Sequence, residues 1–175
     1  LDVLPFDVRI TNALVSYVKY MGKMIWPTKL AVLYPHPGMA TWRQVIGSLA
    51  LLAGISWLAV KNVRPRPYLI VGWLWYLGML VPVIGLAQAG TQAMADRFVY
   101  VPFIGLYLSI AWGFPELVTK LPHRKVWLGT LAAILLSILT VVTWKQVQYW
   151  ENGITLFKHT LKHTSNNYRI HNALG

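Results

Sequence analysis

The 175-residue sequence has no cysteine. Disulfides, thiolate metal sites and cysteine nucleophiles are thereby excluded, while the absence says nothing about compartment. Charge is scarce too: Asp, Glu, Lys and Arg make up 12% of the chain, where a soluble domain usually carries about 25%. Carboxylates are scarcest, with 5 Asp and Glu against 16 Lys and Arg. The sequence also lacks paired carboxylates for glycoside hydrolysis, a metal-spaced histidine cluster, a glycine-rich phosphate loop and a nucleophile elbow. It opens on Leu1 without a basic region followed by an apolar core, so no signal peptide is visible. The chain reads as a fragment or processed piece of something longer.

What is present is apolar. Hydrophobic residues reach 56% and the mean hydropathy is +0.49, which marks an integral membrane protein built as a helical bundle. Four or five membrane helices with short loops use most of this length and leave no room for a separate soluble enzyme. A formal charge of +11 would point to nucleic acid in a soluble protein. Here the basic residues sit mainly between apolar runs, so membrane lipids or a phosphate-bearing lipid substrate are the expected partners, and nucleic acid is not.

Periodicity organises the chain into a membrane domain, 1–144, and a helical tail, 145–175. Over 7–26 an amphipathic helix is expected, with Ile10, Leu14, Tyr17, Val18, Met21 and Ile25 at helical spacing and Arg9, Lys19 and Lys23 interrupting the rest. Too charged to span, it suits the headgroup level, or it packs on its neighbours as an ordinary helix. Pro27 stops it, and the loop that follows holds Tyr34-Pro35-His36-Pro37-Gly38, two prolines stiffening the backbone around an imidazole. Four spans are expected at 45–60, 68–86, 98–118 and 126–144, with Pro82 kinking the second near its far end. In the tail, Trp150, Ile154, Leu156, Phe157 and Leu161 follow a helical pattern up to a break at Ser165-Asn166-Asn167.

Loop charge sets the expected orientation. The connectors 61–67, KNVRPRP, and 119–125, TKLPHRK, are densely basic, whereas Arg97 is the one basic residue of 88–97. The positive-inside tendency makes both dense loops cytoplasmic and puts the Asp96-Arg97 loop, the Tyr34-His36 loop and the tail on the extracytoplasmic side. The count is not one-sided, since the amino-terminal stretch and the tail are basic as well.

The stretch 87–106, AQAGTQAMADRFVYVPFIGL, stands out, because it puts a carboxylate and a guanidinium at the mouth of a hydrophobic hairpin. Asp96 and Arg97 point about 100° apart on a helix and need not pair. Asp96 has a plain alternative role, capping the third span. Arg97 is shaped to hold a phosphate bidentately, or it snorkels to headgroups. His36, presented from its stiff loop, is a candidate for ligand binding or acid/base work, or is simply structural. Tyr100 and the tryptophans near span ends form an aromatic belt by default, with sugar stacking open to one or two. His159, His163 and His171 are too loosely spaced to argue for zinc.

The segments RITNALVSYVKYMGKMIWPTKLAVLYPHP and GTQAMADRFVYVPFIGL, with the tail WENGITLFKHTLKHTSNNYRIHNALG, resemble the later membrane part of bacterial tetratricopeptide-containing membrane proteins. These are similar to the TMTC-type protein O-mannosyltransferases of the C-type membrane glycosyltransferases. The resemblance implies a polyprenyl-phosphate sugar donor, a protein hydroxyl as acceptor, extracytoplasmic inverting transfer, and no cofactor. The family's catalytic acidic residue is expected in an early loop that this sequence does not contain, so no catalytic residue carries over. By the resemblance, Asp96, Arg97 and Tyr100 fall on a supporting loop, Arg97 with Arg9 holds the donor phosphate, and His36 helps to shape the site. NNYRIHNALG, 166–175, fits the start of a tetratricopeptide repeat, a surface for a protein partner. The rival expectation is a non-catalytic scaffold or accessory subunit of a larger membrane complex, in which His36 or His123 ligates a pigment or haem.

Overall fold

The computed structural model describes residues 5–27, 34–35, 40–84, 92–119, 122–163, 170 and 172. It is helical almost throughout: α1 (Phe6–Ile25), α2 (Trp42–Lys61), α3 (Pro67–Leu80), α4 (Tyr100–Leu117), α5 (Arg124–Gln148) and α6 (Gly153–His163). A short 3-10 turn, Asp96–Val99, leads into α4. The sequence reading held no strand, yet β1 (Tyr34–Pro35) pairs antiparallel with β2 (Gln92–Met94), aligning Tyr34 with Met94. This bridge ties two loops that are far apart in the chain.

Among the described residues, three helical stretches are long and apolar enough to cross a membrane: Trp42–Lys61, Asp96–Glu116 and Arg124–Gln148. The second expected span, 68–86, is a shorter helix. α3 has 14 residues, about 21 Å at the usual rise. A turn at 81–84 follows, in which Val83 and Ile84 donate to the Leu80 carbonyl. Pro82, expected to kink a longer span, instead follows the end of the regular helix, because its ring has no N–H and crowds the preceding turn. Pro102 sits in the first turn of α4, where a missing donor costs nothing.

α3 and α4 form the tightest pair. Gly72 and Gly105 face each other so closely that a Cβ on either would strike the other's carbonyl oxygen, and Ser109 closes the same crossing. Close backbone approach at small residues is the usual way for membrane helices to associate. The core lies where α1 rests on this pair: Tyr17, Tyr20, Trp73, Tyr76, Leu80 and Phe103 are all buried. Its hydroxyls are satisfied by backbone, Tyr17 donating to the Leu77 carbonyl and Tyr76 to the Tyr17 carbonyl. The Tyr17 and Tyr76 rings meet edge to face at 5.9 Å. The face that α1 buries also takes in Val8, Ala13, Val15 and Ser16, whereas Ile10 and Ile25, expected on the apolar stripe, are exposed.

Outside that core the helices are bare. α2, α3 and α4 expose rows of Leu, Ile, Val and Trp, and no described residue of α5 is buried. A helix apolar all round, with Ser137 and Thr140 bonded back to their own helix, matches lipid as its solvent.

Candidate functional site

Two ion pairs mark the two ends of the α3–α4 hairpin. At the end carrying the basic connector 61–67, Arg66 donates to Glu116 at 2.6 Å, both half-exposed. The other end is more enclosed and more elaborate. Tyr20 and Lys23 lie three residues apart on α1 and so share a face. The Tyr20 hydroxyl is applied to a single residue, donating to the Ala95 carbonyl at 3.2 Å and accepting from the Ala95 N–H at 3.1 Å, and so holds the peptide groups on both sides of its Cα. One turn on, Lys23 Nζ donates to Asp96 Oδ1 at 2.6 Å and also to the Tyr34 hydroxyl. Tyr34, brought in by the β1–β2 bridge, donates to Asp96 Oδ2 at 2.8 Å. Both carboxylate oxygens are thus occupied.

The electrostatics follow from partial burial. The Lys23 and Asp96 side chains are only 19% and 23% exposed. Desolvation pushes the Lys23 ammonium below the usual lysine range, and the Asp96 carboxylate opposes that push. Burial likewise drives the Tyr20 phenol up to about 12; the Ala95 bond pulls it back and the Asp96 charge adds to the rise.

Beside this corner opens a cleft of about 440 Å³ between the start of α4 and the end of α5. Asp96, Arg97 and Tyr100 line one wall, and Thr143, Gln146 and Trp150 belong to the other. Asp96 spends its charge on Lys23, while Arg97 is exposed, lies 5.2 Å from the Phe98 ring and has no ion pair among the described residues. Among the described residues the cleft thus presents one positive charge without an ion pair, against walls that include Val142, Val147 and Leu156. That combination suits an anionic group attached to an apolar chain.

Three residues singled out in the sequence, Asp96, Arg97 and Tyr100, meet at this cleft. Asp96 is the acidic residue in the first turn of the 3-10 helix, whose N-cap is Ala95, and its two carboxylate oxygens bond to Lys23 and Tyr34. Arg9 is placed elsewhere: it precedes Lys23 by fourteen residues on α1, about 21 Å along the axis, and is not among the cleft residues. His36 lies outside the described residues, as does most of 166–175. Sequence reasoning missed Tyr20, Tyr34 and Lys23. The available signal was the three-residue spacing of Tyr20 and Lys23, which aligns a cation with the buried stripe of α1. Among the described residues no group of three His, Asp or Glu could hold a metal.

A lipid-facing helical bundle with a polar, ion-paired corner and a half-apolar cleft at one end defines an integral membrane protein with a site at its helix termini. Comparison with known proteins gives that class a direction. Over 82 residues, 47% of this chain, the sequence is 30% identical to the human protein named Protein O-mannosyl-transferase TMTC3. The chain spans 9% of that protein's length, so the likeness supports a glycosyltransferase-like relation and leaves the whole protein's activity open. No protein-family model matches the chain, and no solved structure matches it.

Proposed function

We propose that this chain is part of a membrane glycosyltransferase-like protein that moves a sugar from a polyprenyl-phosphate donor to a protein hydroxyl on the extracytoplasmic side, in a bacterial inner membrane. One observation carries the reading: Arg97 stands at a half-apolar cleft with its charge uncancelled, because Lys23 and Tyr34 have taken both oxygens of Asp96. The likeness to a protein O-mannosyl-transferase supplies the reaction class. In such a transfer the acceptor oxygen bonds to the anomeric carbon as the sugar–phosphate bond breaks, and the phosphate leaves with added negative charge. A guanidinium next to that phosphate stabilises the departing charge more than the bound donor, which is the condition for catalysis.

In this reading Arg97 holds the phosphate, Tyr100 contributes a hydroxyl beside it, and the apolar wall accepts the first units of the polyprenyl chain. α3 with its trailing turn supplies a fourth crossing, and the tail begins a tetratricopeptide repeat that docks a protein partner outside the cytoplasm. The acceptor's proton passes to the acidic residue that the resemblance implies as catalytic base.

Arg97→Ala in the full-length protein, assayed with polyprenyl monophosphate in phosphatidylcholine vesicles, should weaken binding by about 10- to 100-fold, the worth of a charge-assisted hydrogen bond. Arg97→Lys should recover part of it, since a point charge replaces a fork. Unchanged binding in Arg97→Ala removes the residue from the site. The bare surface of α5 supports a second reading, a scaffold subunit whose partner covers that helix. Purification in fixed ratio with another membrane chain, together with no affinity for polyprenyl phosphate, would favour it.

A further inference from the structure

We infer that Tyr20 and Lys23 are positioning residues: the last two turns of α1 act as a two-point clamp that sets where Arg97 stands, without touching the ligand themselves. The argument rests on where the bonds go. Tyr20 is 1% exposed and uses its hydroxyl as donor and acceptor to one residue, Ala95. Tyr34 and Lys23 fix the next residue, Asp96, through its two carboxylate oxygens. Arg97 follows directly. Ala95 is itself extended (φ −145°, ψ 131°), and the 3-10 turn begins at Asp96, so the chain changes direction between the two clamped residues. Two successive residues held from one rigid helix leave the third little freedom, and a guanidinium that must meet a phosphate bidentately tolerates little.

Tyr17, on the same face of α1 and also buried, sends its hydroxyl to the Leu77 carbonyl on α3. It serves as an internal control, equal in chemistry and burial but aimed at the hairpin rather than at Ala95. Packing alone would make Tyr17 and Tyr20 interchangeable in their effect on Arg97; a clamp makes them different.

The ligand part of this inference rests on the proposed donor site, and the experiment separates the two. With any cysteine outside these residues replaced, a single nitroxide label at Arg97→Cys reports the mobility of the corner without ligand, since these 175 residues contain no cysteine of their own. In the full-length protein, Tyr20→Phe and Lys23→Met should each give a more mobile label, Tyr17→Phe should not, and Lys23→Arg should restore the immobile spectrum. With Arg97 intact, Tyr20→Phe should weaken polyprenyl monophosphate binding by about tenfold, the expected effect of one unsatisfied buried peptide. A mobile corner with unchanged binding supports the clamp and counts against the donor site. An unchanged label in Tyr20→Phe and Lys23→Met, or an equal response in Tyr17→Phe, overturns the clamp. Should Tyr20→Phe fail to accumulate, the contrast between Lys23→Met and Lys23→Arg decides the matter.

Discussion

Tyr20 shows how a single side chain can couple stability to pH in a protein with few charges. Its phenol is pushed from the ordinary 10.0 up to about 12, chiefly by burial. The folded state therefore holds that proton more tightly than the unfolded one, and the stability it contributes is intact below pH 10.0 and lost as pH climbs toward 12. Two units correspond to about 2 to 3 kcal/mol. An ionised Tyr20 would also lose its donated bond to the Ala95 carbonyl and face the Asp96 charge, so the loss should begin at the corner. Unfolding of the wild type and Tyr20→Phe in detergent at pH 8 and pH 11.5 should show the wild type losing more over that interval, and equal losses would mean that Tyr20 does not titrate there. Lys23 moves in the opposite sense: its lowered value makes the folded state release the proton first, which favours folding as pH approaches 10.5, but that contribution is common to both proteins and cancels.

At the scale of elements, the α3–α4 crossing is the least forgiving part of the fold. A Cβ at Gly72 would meet the Ser109 hydroxyl and the Gly105 carbonyl, and one at Gly105 would meet the Gly72 carbonyl and Trp75. A hydroxyl can rotate away and backbone cannot, so the helices must separate. Gly72→Ala and Gly105→Ala should each cost about 1 to 3 kcal/mol or more, whereas Gly78→Ala, with open space around it, should be near neutral. Thermal unfolding in detergent ranks the three, and a neutral Gly105→Ala would show that the crossing is looser than described. Element positions were largely legible in the sequence, because α2 and α5 are long apolar runs and lipid demands nothing subtler. The corner was not. Lys23 looked like an interruption of an amphipathic stripe, since its partner Asp96 lies 73 residues away and no local spacing announces it. The β1–β2 bridge was invisible for the same reason: two- and three-residue strands carry no period, and only chain closure brings Tyr34 to Met94.

For the whole molecule, the two ion pairs act as markers of direction. Arg66–Glu116 ties the end of the hairpin where the basic connector turns, and Lys23–Asp96 ties the other, so the helix ends sort into two sets even without a bilayer. α5 starts at Arg124, beside His123 and Lys125, and ends at the cleft shared with Arg97. Its 25 residues, about 37 Å of helix, exceed the hydrocarbon thickness of about 30 Å, so one crossing with some tilt accounts for them. If lipid surrounds this helix, the residues before and after it must emerge on opposite sides. Single cysteines placed in the cysteine-free background at Arg64 and Arg124 should react with a membrane-impermeant thiol reagent only from the cytoplasmic face, and those at Arg97 and Glu151 only from the other. Which face is which follows from the proposed orientation, while the pairing of sites comes from the fold alone. Arg97 and Glu151 labelling from opposite faces would mean that α5 does not cross beside α4, and the cleft on which the donor site depends would then lose one of its walls.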